Sequence, residues 1–275
     1  MTNEKVSFVP NTKNKVVVDM DEVLTDIVPY WMAKVLSESS LYEFLKEHRK
    51  ECLNDLIKAH PSNRLEYCVL KHLGDYEDNP LPEWFKKKVF ELYFEDENFY
   101  HNLQPTPYAK ILRSLVENKI VSDLLVVTKC GSSIRLPVNK SKILWLQNFF
   151  EGLIKTRNIK FCFIEKDEKK SDAIKEQGFE DYNTFVDDHI DNIMDVIKNT
   201  DSRGKEFLIP KMTYNSVLHN PTFPAFLDEV DDFYCQTLWF DNSLRIVFNE
   251  ETKEYRFKSN DQESLPRVEG ISLNW

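Results

Sequence analysis

Two carboxylates one residue apart, Asp19 and Asp21, follow directly on the apolar run Val16-Val17-Val18. A short β-branched run of this kind reads as a strand buried in a parallel sheet. Open α/β sheets place their ligands outside the C-terminal ends of such strands, which is where these acids fall. Neighbouring acids repel each other and are costly to bury unpaired, so the pair implies a cation. Oxygen donors suit a hard divalent ion, Mg²⁺ first, and that ion suits phosphate chemistry. Further reactive residues follow in chain order. Thr128 ends the apolar run at 124–127, the pair Lys169-Lys170 comes next, and Asp187-Asp188 end a run at 184–186. Strand C-termini gather along one edge of a parallel sheet, so groups distant in sequence can converge there.

The residue types fit phosphoryl transfer. A phosphate monoester is dianionic and repels a carboxylate nucleophile, and a divalent cation screens that repulsion. Asp19 can then attack phosphorus and form an aspartyl-phosphate. Asp21 can protonate the leaving oxygen and later activate water. Thr128 can donate its hydroxyl to a non-bridging oxygen, and Lys170 can neutralise charge on Asp19 and the phosphate. Asp187 and Asp188 can complete or orient a metal shell begun by Asp19 and Asp21, with the main-chain carbonyl of Asp21 as a further ligand.

The elements that must position these groups are legible as changes of texture. Residues 1–14 are polar and read as a loose lead-in, and 16–19 as the first strand. From 27 to 100 apolar residues recur at helical spacing, as in Leu41-Tyr42-Glu43-Phe44-Leu45-Lys46 and in the stretch from Trp84 to Leu92. Asn79-Pro80-Leu81-Pro82 interrupts them as a turn before a helix. Strands then alternate with helices: helix 108–117, strand 124–127, helix 142–150, strand 160–164, helix 171–177, strand 184–186 and strand 206–209. Alternation at these lengths predicts a parallel sheet with crossover helices. Two runs at 244–248 and 254–257 predict a β-hairpin. The expected fold is therefore α/β: a Rossmann-like core of 1–26 and 101–230, a helical cap of 27–100 inserted after the first strand, and a C-terminal extension of 231–275 carrying the hairpin.

Bulk properties exclude several classes. A chain of 275 residues suits one large domain or two. A formal charge of −10 argues against a general nucleic-acid-binding surface. No apolar run reaches the roughly 18 residues of a membrane span, and the N-terminus lacks a signal core, so a soluble, cytoplasmic protein is expected. The cysteines at 52, 68, 130, 162 and 235 are odd in number and form no CxxC pair, which argues against zinc and disulfides. The six histidines lack metal spacing and no Gly-rich nucleotide loop is present.

The ordered set Asp19-Met20-Asp21, Thr128, Lys170 and Asp187-Asp188 resembles the motifs of the haloacid-dehalogenase (HAD) superfamily of aspartyl-phosphate phosphatases. Within it, the chain resembles the 5′(3′)-deoxyribonucleotidases. The segment Val18-Asp19-Met20-Asp21-Glu22-Val23-Leu24-Thr25-Asp26 is similar to their opening motif, and Leu103-Gln104-Pro105-Thr106-Pro107 to the return from their cap. Val126-Val127-Thr128, Lys142-Ile143-Leu144-Trp145 and the segment from Val186 to Ile193 are similar to later motifs. The likeness spans 15–230. It implies Asp19 as nucleophile, Asp21 as acid/base, and Thr128 and Lys170 as their catalytic partners. Lys142 is an implied substrate contact, to which Lys129 and Trp31 are added as candidates, with Asp19, Asp21, Asp187 and Asp188 the expected metal ligands and Mg²⁺ the cofactor. Tyr30, Trp84, Phe85, Phe99 and Tyr100 join Trp31 as aromatic residues able to stack on a base or to pack the cap. The implied partner is a small phosphate ester, a nucleotide first, without membrane or nucleic acid, and with a homodimer left open. Alternatives are another small phosphate ester, a nucleic-acid end, or a catalytically idle scaffold binding a partner through the hairpin. Three departures stand out. Glu22 occupies a position where many superfamily members carry Gly, and Lys129-Cys130-Gly131 follow Thr128 where Ser-Pro is frequent. The spacing from Lys170 to Asp187 exceeds that of the short nucleotidases, which leaves Lys166, Lys169 and Lys175 open as alternatives for the catalytic lysine.

Overall fold

Val16, Val17 and Val18 are all buried, which requires their strand to lie in the middle of a sheet covered on both faces. The computed structural model shows this arrangement. It describes residues 14–58 and 69–210, and the backbone of 243–249 and 254–258. Five strands run parallel: β1 (Asn14–Val18), β2 (Val121–Lys129), β3 (Asn158–Ile164), β4 (Thr184–Val186) and β5 (Glu206–Pro210). Their order is β3-β2-β1-β4-β5. Val16, Val17 and Val18 pair with Leu124, Leu125 and Val126 on one side and with Thr184, Phe185 and Val186 on the other.

The hairpin expected near the C-terminus is β6 (Ser243–Asn249) and β7 (Glu254–Lys258). It adds antiparallel to β5, with Ile246 opposite Phe207, so it is the edge of the central sheet rather than a separate appendage. The rest of the 231–275 extension, most of the 1–14 lead-in, and Cys68 and Cys235 lie outside the described residues.

Alternation along the strands divides the core in two. Val16, Val18, Leu124, Val126, Val186 and Leu208 face one side. Val17, Leu125, Val127, Phe185, Phe207 and Ile209 face the other. The second face is covered by α8 (Lys170–Glu176) and α9 (Ile190–Asn199) through Ala173, Ile174, Ile193, Val196 and Ile197. The first is covered by α6 (Pro107–Glu117) and α7 (Pro137–Phe149) through Leu112, Leu115, Trp145 and Leu146. α6 begins at a strong start signal: the Thr106 side chain accepts from the Ala109 N–H at 3.1 Å and Pro107 sits in the first turn. α7 begins five residues ahead of the expected 142, because Pro137 tolerates the first helical turn.

The insert between β1 and β2 holds α1 (Ile27–Ser37), α2 (Ser39–His48), α3 (Lys50–Lys58), α4 (Val69–His72), α5 (Glu83–Phe94) and a single 3₁₀ turn, Phe99–Asn102. Its apolar side chains, among them Val35, Leu41, Leu45, Phe85, Val89 and Phe99, join the first sheet face in one continuous core. Burial of each such side chain contributes about 1.5–3 kcal/mol, so insert and sheet stabilise each other across the boundary at residue 27. Among the described residues no helix is long and apolar enough to cross a membrane.

Candidate active site

The chain leaves β1 for β2 and β3 on one side, then crosses back to β4 on the other. The C-terminal ends of β1 and β4 therefore flank the switch point of the sheet, where ligands of open α/β sheets bind. Asp19 is the first residue beyond β1, and its N–H still donates to the Val186 carbonyl at 2.9 Å. Asp187 is the first beyond β4, and its N–H donates to the Leu208 carbonyl at 3.1 Å. The ladder thus fixes both backbones. One carboxylate oxygen from each of Asp19, Asp187 and Asp188 lies within 4.8 Å of the others, and all three residues are buried.

Lys170 joins this group from the start of α8. Its ammonium is 2.8 Å from Asp19 Oδ1 and 2.7 Å from Asp187 Oδ2. Lys166, Lys169 and Lys175 are exposed. Ser171, two residues past the Lys169 cap, does not cap α8; its N–H donates to Asp195 Oδ2 of α9 at 3.1 Å. Asp187 Oδ1 in turn accepts from the His189 N–H at 2.9 Å and from Asn192 Nδ2 at 3.0 Å. Burial pushes the Asp19 carboxyl up to about 7; Lys170 opposes the rise while Asp187 and Asp21 add to it. Asp188 is pushed well above the usual carboxylate range by burial, then by Asp187, Asp19 and Glu22. Burial alone would lower the Lys170 ammonium, but Asp187 and Asp19 outweigh it and hold the lysine charged.

Asp21 belongs to a second group. Lys142 Nζ donates to Asp21 Oδ2 at 2.7 Å, to Thr128 Oγ1 at 3.0 Å and to the Lys129 carbonyl at 2.9 Å. The Tyr100 hydroxyl donates to Asp21 Oδ1 at 2.5 Å. Both carboxylate oxygens of Asp21 are therefore engaged, and its side chain stands apart from the three clustered acids. The expectation of an Asp21 carboxylate ligand gives way to an Asp21 held by Lys142 and Tyr100. Lys142, expected to bind substrate, already has acceptors for the three protons an ammonium offers, and it ties Asp21 to Thr128. Its charge is held above the ordinary range because Asp21 outweighs the penalty of burial. Lys129 ends β2 half-buried, contributing its carbonyl to Lys142.

Two of the departures from the motif have local explanations. Glu22 adopts φ +63°, the left-handed region where Gly is at home. Its side chain turns back and Oε1 accepts from the N–H groups of Ile27 and Val28, each at 3.1 Å. It thereby caps α1, whose Asp26 makes no side-chain cap. Gly131, at φ +71°, lies so close to the insert that a Cβ there would meet the Phe94 ring at 2.8 Å. The loop after Thr128 is thus pressed against α5.

Trp31, the third expected substrate contact, is in the core of the insert. Its ring stacks on Tyr93 with centroids 4.7 Å apart, and its indole N–H donates to the Val89 carbonyl at 2.9 Å. A buried indole spends its only donor in this way and has none left for a ligand. Phe85 and Phe99 are likewise fully buried, whereas Trp84 is exposed. Tyr30 accepts from Asn102 Nδ2 at 3.0 Å. Tyr100 alone of these aromatic residues reaches the acids. No spacing rule picks it out, because its contact with Asp21 is made across the fold.

A metal fits the first group. Its donors are carboxylate oxygens, the chemistry a hard divalent cation takes. Its three acids face the single ammonium of Lys170, and burial and mutual repulsion raise the carboxyls of Asp19 and Asp188; a doubly positive partner would hold them as carboxylates.

No protein-family model matches the chain, and no curated protein matches it. Solved structures similar to it include a HAD-superfamily hydrolase, subfamily IA, variant 1, from Geobacter sulfurreducens. The two chains are 13% identical over an alignment covering 74% of this chain and 94% of that one, with a TM-score of 0.41. No residue of the site is assigned from that likeness.

Proposed function

We propose that the protein is a Mg²⁺-dependent phosphatase of the HAD type, hydrolysing (deoxy)nucleoside monophosphates through an aspartyl-phosphate. One observation carries the reading. Three buried carboxylates from the ends of β1 and β4 meet within ligand distance, and the Lys170 ammonium bridges Asp19 and Asp187. A divalent cation bound by Asp19, Asp187 and Asp188 would screen the repulsion between a carboxylate and a phosphate dianion. Asp19 attacks phosphorus, the new O–P bond forms as the ester P–O bond breaks, and Asp21 gives its proton to the departing alkoxide. Water then attacks the same phosphorus, Asp21 takes its proton, and the acyl-phosphate bond breaks to return Asp19 and release inorganic phosphate. Thr128 accepts from Lys142, so its own proton is free for a phosphate oxygen. Lys170 compensates charge on Asp19 throughout. The nucleotide as substrate class comes from the motif resemblance.

The test is phosphate release from 5′- and 3′-(deoxy)nucleoside monophosphates, sugar phosphates and a 5′-phosphorylated oligonucleotide, with and without Mg²⁺. Mg²⁺-dependent release from the mononucleotides above the other esters is expected. Preference for a sugar phosphate or the oligonucleotide would replace the substrate class. Absence of release from every ester would refute the phosphatase.

A further inference from the structure

The Tyr100 contact is not explained by the chemistry above, and it joins the helical insert to the acid/base. Tyr100 sits in the 3₁₀ turn Phe99–Asn102 and is fully buried. Its backbone N–H donates to Ser141 Oγ of α7 at 3.1 Å, and its ring packs 5.6 Å from that of Phe99. The Lys142 ammonium lies 5.3 Å from the ring centroid. These contacts and its burial hold the ring in place. Its hydroxyl is 2.5 Å from Asp21 Oδ1 and 3.0 Å from the Tyr93 hydroxyl of α5. A phenol has one proton, and here Asp21 takes it, so Tyr93 must be the donor of the tyrosine pair. The chain of donors runs from Tyr93 to Tyr100 to Asp21, ending on the oxygen that Lys142 does not hold.

We propose that Tyr100 is a positioning residue for Asp21: its phenol fixes Oδ1 while Lys142 fixes Oδ2, so the insert sets the orientation in which Asp21 meets the leaving oxygen. This rests on the reading of Asp21 as acid/base. A carboxylate held at one oxygen swings about that anchor; held at both, it keeps one plane. Each oxygen retains a second lone-pair direction for the substrate. Proton transfer demands a heavy-atom approach of about 2.6–3.2 Å, so lost orientation appears in the step where the proton moves. In the phosphorylation step, which kcat/KM reports, it matters for an alkoxide, which cannot depart without a proton, and hardly at all for p-nitrophenolate, which can; the later activation of water is common to both esters and enters kcat. A role in packing alone would slow both esters alike.

The experiment compares Tyr100→Phe, Tyr93→Phe and Asp21→Asn on p-nitrophenyl phosphate and on the best deoxynucleoside 5′-monophosphate, with thermal melts to establish that each variant is folded. Tyr100→Phe is expected to lower kcat/KM on the nucleotide by about 10–100-fold, leaving kcat/KM on the p-nitrophenyl ester within about 3-fold. Tyr93→Phe keeps the Tyr100 phenol but removes its donor, and the same selective loss is expected at about 2–10-fold. If Asp21→Asn spares kcat/KM on p-nitrophenyl phosphate selectively but both tyrosine variants lower kcat/KM on the two esters equally or not at all, the positioning role is overturned and the acid/base reading stands. If Asp21→Asn itself lowers kcat/KM on the two esters equally, the acid role of Asp21 falls, and the role of Tyr100 with it.

Discussion

Replacing Glu22 by Gly sets two known effects against each other. Glycine relieves the left-handed backbone at φ +63°, a gain of about 1–2 kcal/mol. It also gives the unfolded chain more freedom, a loss of about 0.4–1 kcal/mol. The larger loss is the cap. Two N–H groups, of Ile27 and Val28, donate at 3.1 Å to a carboxylate that is fully buried. Hydrogen bonds to charged groups contribute about 1.5–3 kcal/mol each, and water has no ready route to replace these. Removing repulsion between Glu22 and Asp188 returns a part of that. The cap wins, and net destabilisation of about 1–3 kcal/mol is expected, or a fall of several degrees in Tm for a chain of this size. Differential scanning calorimetry of Glu22→Gly and Glu22→Gln checks it. The Gln variant keeps an acceptor oxygen without charge and should fall between wild type and Gly. A Gly variant melting at or above wild type would show that strain outweighs the cap.

Lys170→Met, which strips the cation from between Asp19 and Asp187, should lower kcat by about 10²–10³-fold, while Lys169→Met, at an exposed position, should stay near wild type. Equal kinetics of the two variants would remove Lys170 from the mechanism. Asp19→Asn should abolish turnover with the far-UV circular dichroism spectrum intact, since an amide is a poor nucleophile; near wild-type rates in folded protein would refute covalent catalysis. Chelation should stop hydrolysis and added Mg²⁺ should restore it and raise Tm, because binding to the folded form alone stabilises that form. Full activity in excess chelator would refute a metal role for the three acids.

The strand ends were the most legible part of this chain. Asp19, Thr128 and Asp187 each follow an apolar run whose burial on both faces forces a position in mid-sheet, so local pattern and global place coincide. The extra residues at the starts of β2 and β3 escape the pattern because Asp123 and Asn158 are polar and are held in strand by pairing with each other, while Ser122 falls at a register shift between β1 and β2. The start of α7 was readable from Pro137 but lies ahead of the amphipathic stretch. Trp31 shows a different limit, since an aromatic residue at helical spacing looks the same whether it faces ligand or core. Asp21 was legible as an acid near the site, but its separation from the other three depends on Tyr100 and Lys142, which arrive from 79 and 121 residues away. Glu22 looked like a conflict with the motif because its backbone conformation and its bonds to α1 appear only in three dimensions.

The central position of β1 also divides the site between two pairings. β1 forms early in the sequence, yet it pairs with residues 121–126 on one flank and 184–186 on the other. A chain folded through α7 can hold Asp21 with Tyr100, Lys142 and Thr128, whereas Lys170, Asp187 and Asp188 come only after it. Closing so long a loop is slow, and the pairing of β1 with β4 is the step that joins the two halves. The cation site is complete only when β1 has paired with β4, and an ion bound there would act as a latch on the finished sheet, coupling the life of the native state to the metal it carries.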